Sequence, residues 1–204
     1  MIDTAALATV LSIYVVGVIS PGPNFVAVAH AAVSSSRVNA LATMAGIVTV
    51  SMFWASAAML GVHIVFETFP WLALGMRVAG ACYLVWYGVR LIMRARRELP
   101  VAGTAIGMSV PRAFARGVLT NIANPKAIAF FATIFASARP AQVTPPTLVA
   151  MVLGVAVVAS TWYGFVALVL SHEGMAMVYR RKKAIVDRLC GGLIVALGVR
   201  QLVR

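Results

Sequence analysis

In Ser20-Pro21-Gly22-Pro23-Asn24 two prolines flank a glycine inside an otherwise apolar stretch, with 7–19 on one side and 25–33 on the other. A regular helix cannot pass through this segment. Each proline lacks an amide hydrogen and clashes with the preceding turn, and the glycine loosens the backbone further. Broken in lipid, the helix would leave amides and carbonyls without partners. Such backbone is tolerated only against protein or a polar cavity. The break therefore reads as the wall of a site.

Composition makes lipid the relevant solvent. The chain is 62% hydrophobic and 11% charged, whereas about a quarter of the residues in a soluble domain are charged. Its 204 residues hold five to seven spans of ~20 residues each and little else. The acidic start (Asp3) and the long, proline-broken first stretch argue against a cleaved signal peptide. The formal charge of +12 is explained by loops between spans, where Lys and Arg set topology, so no nucleic-acid partner is expected.

The pattern predicts an all-α integral membrane protein in a single domain, 1–204, with six spans at about 4–33, 40–65, 72–93, 114–137, 147–170 and 184–203. Basic residues concentrate after spans 1, 3 and 5: Arg37, then Arg90, Arg94, Arg96, Arg97, Arg112 and Arg116, then a loop with Arg180, Arg181, Lys182 and Lys183, followed by Arg188. The other side carries Arg139, Arg200 and Arg204. This bias places the three basic loops in the cytoplasm and both termini outside.

A second break, Asn124-Pro125-Lys126, falls in span 4, the counterpart of span 1. Spans 3 and 6 also share a Gly-Val-Arg, at Gly88-Val89-Arg90 and Gly198-Val199-Arg200. The offset grows from 100 residues at the asparagines to 110 at the arginines, and the loop between spans 5 and 6 is expected to absorb the difference. Three spans per repeat make the second half inverted: repeat 1 at about 1–97 and repeat 2 at about 112–204. Paired broken helices in inverted repeats point to a transporter site. Each break lies roughly ten residues from the cytoplasmic surface, so both sit ~15 Å deep, near the midplane.

These paired motifs, Ser20-Pro21-Gly22-Pro23-Asn24 and Asn124-Pro125-Lys126-Ala127, resemble the signatures of the lysine exporter (LysE/RhtB) family, and the likeness extends over the whole chain. The resemblance implies a secondary exporter, not an enzyme, carrying a small amino acid or derivative out of the cytoplasm by proton exchange. Its substrate would be of the threonine, homoserine or homoserine-lactone type. No cofactor or metal is implied.

The substrate-binding candidates are Ser20, Pro21, Gly22, Pro23, Asn24, Asn124, Pro125 and Lys126. Asparagine supplies both a donor and an acceptor, or simply caps a half-helix. Half-helix N-termini after Pro23 and Pro125 suit a carboxylate. Lys126 either meets that carboxylate or snorkels to the interface. His30 and His63 titrate near neutral pH and are candidates for a proton relay, although each stands near a span end where interfacial solvation also accounts for it. Trp162 and Tyr163 in mid-span 5 are placed to contact substrate, although apolar packing also accounts for them. No Asp or Glu lies well inside a span: Asp3, Glu67, Glu98, Glu173 and Asp187 are all terminal or in loops. That argues against a cationic substrate and against coupling through a buried acid.

Two alternatives belong to other classes. Cys82 and Cys190, at near-equivalent places in spans 3 and 6, could form a membrane thiol–disulfide carrier, but no Cys-X-X-Cys is present. A non-transporting scaffold would leave the paired breaks without a purpose. Small residues in spans 2 and 5 suit packing within one chain or in a homodimer.

Overall fold

The computed structural model describes residues 2–19, 22–59, 68–96, 108–124, 126–128, 130–131 and 144–203. Among them run seven helices: α1 Thr4–Ile19, α2 Pro23–Ser34, α3 Arg37–Met59, α4 Pro70–Arg94, α5 Val110–Ile122, α6 Pro145–Leu170 and α7 Glu173–Val203. No strand occurs among the described residues. Helices α3 and α6 are each long and apolar enough to cross a membrane, and α1 with α2 form a pair bent by 54° that passes the same test together. Outward-facing Val16, Leu119, Val157, Phe165 and Leu189 are exposed, as expected of a surface solvated by lipid chains.

The break in span 1 is where the prolines place it. Helix α1 stops at Ile19, and α2 starts with Gly22 as its extended N-cap and Pro23 in the first turn. Span 4 is interrupted likewise: α5 ends at Ile122, and helical backbone resumes at 126–128. In that restart Asn124 accepts the amides of Ala127 and Ile128 on its carbonyl.

The basic run expected in a loop before span 6 is instead helical. Helix α7 begins at Glu173, eleven residues before 184, and carries Arg180, Arg181, Lys182 and Lys183. The cause is side-chain pairing that a loop reading ignores. Lys183 meets Asp187 one turn on, and Arg180 donates to the Val33 carbonyl at the end of α2. The growing offset between the halves is thus taken up in part by extra helix.

Helix α3 lies at the centre, packed on α2, α5 and α6, while α1 rests on α6 and α4 pairs with α7. The α3–α5 seam is polar and small rather than apolar. A Cβ at Gly46 would overlap the Phe114 carbonyl, and one at Gly117 the Thr43 carbonyl. The two backbones therefore touch, and Thr43 Oγ1 reaches the Ala113 carbonyl at 3.2 Å while Asn39 reaches the Met108 carbonyl at 2.7 Å. Close backbone approach and interhelical hydrogen bonds hold helices together where lipid removes the hydrophobic driving force. The small residue Gly46 of span 2 thus serves packing within the chain. Helices α4 and α7 meet in the same way, Gly88 against Gly191.

Candidate functional site

The two helix breaks face each other across a small cavity. Asn124 Nδ2 donates to Asn24 Oδ1 at 3.1 Å, so the asparagines one hundred residues apart are joined directly. Asn24 Nδ2 in turn donates to Asn121 Oδ1 at 3.0 Å. Asn121 completes the network by donating to the Ile47 carbonyl at 2.7 Å and to Ser51 Oγ at 2.9 Å. All three asparagines are buried. A single chain of amides thus links α2, α5, α3 and the restart of span 4.

Asn124 does two jobs. Its Oδ1 accepts the Lys126 amide at 3.1 Å, which caps the half-helix, while its Nδ2 holds Asn24. Capping and site lining, set against each other on the sequence, coexist in one side chain. Asn24 does not cap α2; that position belongs to Gly22.

The cavity is lined by Tyr14, Gly17, Gly22, Asn24, Ser51, Asn121, Asn124, Lys126, Phe130 and Tyr163, among others. Tyr14 and Ser51, and Tyr163 and Asn24, line the same cavity. Tyr14 also packs against Phe130 and Phe131 with ring centroids 5.5 and 5.6 Å away, closing the α1 side. The volume is about 40 Å³, room for about one water molecule. This conformation leaves little free space beside the amide network.

Of the expected site residues, Gly22, Asn24, Asn124 and Lys126 line this one cavity. Pro23 opens α2 beside it. Ser20, Pro21, Pro125 and His63 lie outside the described residues. Tyr163, for which both packing and substrate contact were open, lines the cavity. Its neighbour Trp162 stacks on Phe165 at 6.2 Å. Asn121, Ser51 and Tyr14 were not singled out from sequence. A second asparagine three residues before Asn124 in an apolar segment was the available signal for Asn121.

The expectation that no acid is buried is overturned. Asp187 is 1% exposed, and its Oδ2 lies 2.6 Å from Lys183 Nζ. The α7 helix begins early enough to turn this residue inward against α2. His30, for which interfacial solvation was an adequate account, faces it, with Nε2 3.6 Å from Asp187 Oδ1. Among the described residues, those lining the cavity include no carboxylate. Cys82 is exposed and Cys190 buried, and neither is in a disulfide. Among the described residues no cluster of His, Cys, Asp or Glu is arranged to hold a metal.

Comparison with known proteins gives these features a context. A family model described as LysE type translocator matches residues 15–204. The chain belongs to this family. It is 31% identical over 198 residues to the threonine efflux protein of Escherichia coli strain K12, covering 96% of each chain, and 30% identical over the same length to that of Salmonella typhi. A shorter likeness, 36% over 72 residues, 35% of this chain and 31% of the other, links it to the homoserine/homoserine lactone efflux protein of Salmonella typhi. No solved structure matches. The translocator is a membrane protein of an amino-acid-exporting family, and the paired breaks of its sequence meet at its polar centre.

Proposed function

We propose that this translocator exports a small neutral amino acid, of the threonine and homoserine class, from the bacterial cytoplasm in exchange for protons. The observation that carries the reading is the junction of the two helix breaks. Asn24 and Asn124 bond to each other at a small cavity whose described lining includes amides, hydroxyls and Lys126 and no carboxylate. A zwitterion fits that set. Lys126 and the first amides of α2 and of the span 4 restart favour its carboxylate. Amide and phenol oxygens favour its ammonium, and a substrate hydroxyl suits the remaining donors. A second positive charge would have no partner there, which disfavours lysine or arginine as cargo. Ser20, Pro21 and Pro125 complete the two breaks and belong to the same substrate path.

The contacts also support six spans in an inverted 3+3 repeat. Spans 2 and 5 pack together as α3 and α6, spans 3 and 6 as α4 and α7, and α2 of span 1 touches α5 of span 4. Each span lies against its counterpart. With the basic residues of α5 and of early α7 on the cytoplasmic side, both termini face the periplasm. The Asn24–Asn124 bond joins the two breaks, and substrate passage needs that bond to open, as alternating access requires.

The test is exchange in proteoliposomes holding the purified full-length protein. Internal labelled threonine is expected to leave against external threonine or homoserine and not against external lysine. Absence of exchange for every neutral amino acid tried, with the protein folded and inserted, would sink the reading. Reporter fusions at each terminus test the topology: cytoplasmic activity at either end contradicts it.

A further inference from the structure

Away from the substrate cavity, three buried polar atoms have no hydrogen-bond partner among the described residues: Asp187 Oδ1, His30 Nε2 and Tyr179 Oη. They come from two helices. His30 stands on α2, and Tyr179 and Asp187 on α7, with the rings of His30 and Tyr179 edge to face at 6.5 Å. Leaving such groups unpaired is costly in a low-dielectric interior, so an arrangement of this kind usually has a role.

The charge balance limits that role. Asp187 Oδ2 is already neutralised by Lys183 at 2.6 Å, and Lys183 is itself anchored to the Arg94 and Ala95 carbonyls at 3.4 and 3.2 Å. With that ammonium in place, a metal cation at the second oxygen would be repelled. A proton is different, because it needs no coordination shell. At 3.6 Å the His30–Asp187 contact is too long for a hydrogen bond. A bare Nε2 and a carboxylate oxygen are both acceptors and hold each other off. One proton on Nε2 converts the imidazole to a donor, and the contact then closes toward the ~2.8 Å of a charge-assisted bond.

We propose that His30 and Asp187 form the binding site for the exchanged proton, and that α2 transmits its occupancy to the substrate cavity. The inference rests on the export reading above. Helix α2 is twelve residues long, with Asn24 in its first turn and His30 six residues on, ~9 Å along the axis. Its far end is tied to α7 by Arg180, which donates to the Val33 carbonyl. Drawing His30 onto Asp187 moves the rigid half-helix that carries Asn24, and so biases the Asn24–Asn124 and Asn24–Asn121 bonds. Other groups that face the pair are Cys190 on the same helix, Tyr87 on α4 and, through Cys190, Lys126 at the cavity. From α6, apolar Val166 and Ala167 share the cluster with Tyr179.

In transport terms, the proton bound from the periplasmic side sits on His30 Nε2 against Asp187 and leaves to the cytoplasm as that bond breaks. No other bond is made or lost. The decisive variant is His30→Gln, which keeps a polar side chain of similar size and cannot titrate. Wild type and variant are compared in proteoliposomes by threonine–threonine exchange, which moves no net proton, and by threonine accumulation driven by a pH gradient. The variant is expected to lose gradient-driven accumulation by at least about tenfold, while exchange persists and loses its dependence on pH. Asp187→Asn, checked for monodisperse behaviour in detergent, is expected to do the same. Gradient-driven accumulation surviving in His30→Gln overturns the proposal, as does loss of both activities in both folded variants. If wild type exchanges neither threonine nor any other neutral amino acid tried, the export reading has failed instead.

Discussion

Replacing Asn121 by alanine removes a residue that is 0% exposed and makes three side-chain hydrogen bonds, to Asn24, Ile47 and Ser51. Interhelical hydrogen bonds in membrane proteins average about 0.6 kcal/mol each, so three contribute about 2 kcal/mol. The substitution also strips the acceptor from Asn24 Nδ2 in a buried setting, a further cost of about 1 kcal/mol. The expected destabilisation is therefore about 3 kcal/mol. Equilibrium unfolding of the purified protein in mixed micelles measures it. A double-mutant cycle with Ser51→Ala isolates the pair, for which a coupling of about 0.6 kcal/mol is expected. Threonine exchange should fall more steeply than stability, because Asn24 then loses the contact that orients it toward Asn124. A destabilisation below about 1 kcal/mol, with exchange intact, would refute the view that Asn121 holds the two breaks in register.

Three other outcomes follow from the geometry. Lys126→Met should raise the threonine concentration needed for half-maximal exchange by about tenfold or more, in keeping with loss of a charge-assisted contact, whereas Lys126→Arg should retain part of it; unchanged affinity in Lys126→Met would remove this residue from the site. Gly117→Ala should be poorly folded, since its Cβ would overlap the Thr43 carbonyl, while Gly192→Ala, whose Cβ meets nothing within 4 Å, should express like wild type; thermal unfolding in detergent compares them. The double variant Cys82→Ser with Cys190→Ser should export threonine normally, and its inactivity would revive the thiol–disulfide alternative.

Much of the site was legible before any tertiary contact was known, for a local reason. Proline and glycine act on the backbone of their own turn, so Pro21, Gly22, Pro23 and Pro125 announce breaks wherever the chain ends up. The positions of Asn24 and Asn124 followed from those breaks, and both line the cavity. Asn121 was harder to see because a polar residue in an apolar helix has several fates, and only the neighbouring α3 backbone selects one. Its partners lie seventy or more residues away in the chain. Tyr163 was left between two roles for the same reason: an aromatic residue in mid-span packs or faces a site according to the helix opposite it.

The basic segment before span 6 and the acid at 187 show where local reading fails. Charge density in 180–183 resembles a loop when each side chain is taken to seek water. In the folded chain Lys183 has Asp187 and the α4 carbonyls, and Arg180 has the end of α2, so the helix continues through.

By itself, then, the sequence determined the solvent, the apolar spans, the two breaks and the charge asymmetry, all of which depend on residue type and short-range backbone geometry. Tertiary structure alone decided which polar groups meet. It brought Asn24 against Asn124 and Asn121, and turned Asp187 from an apparent loop residue into the buried partner of His30. The reason is physical: in a helix bundle within lipid, the worth of a polar side chain is set by what the adjacent helix offers it, and that is a property of packing.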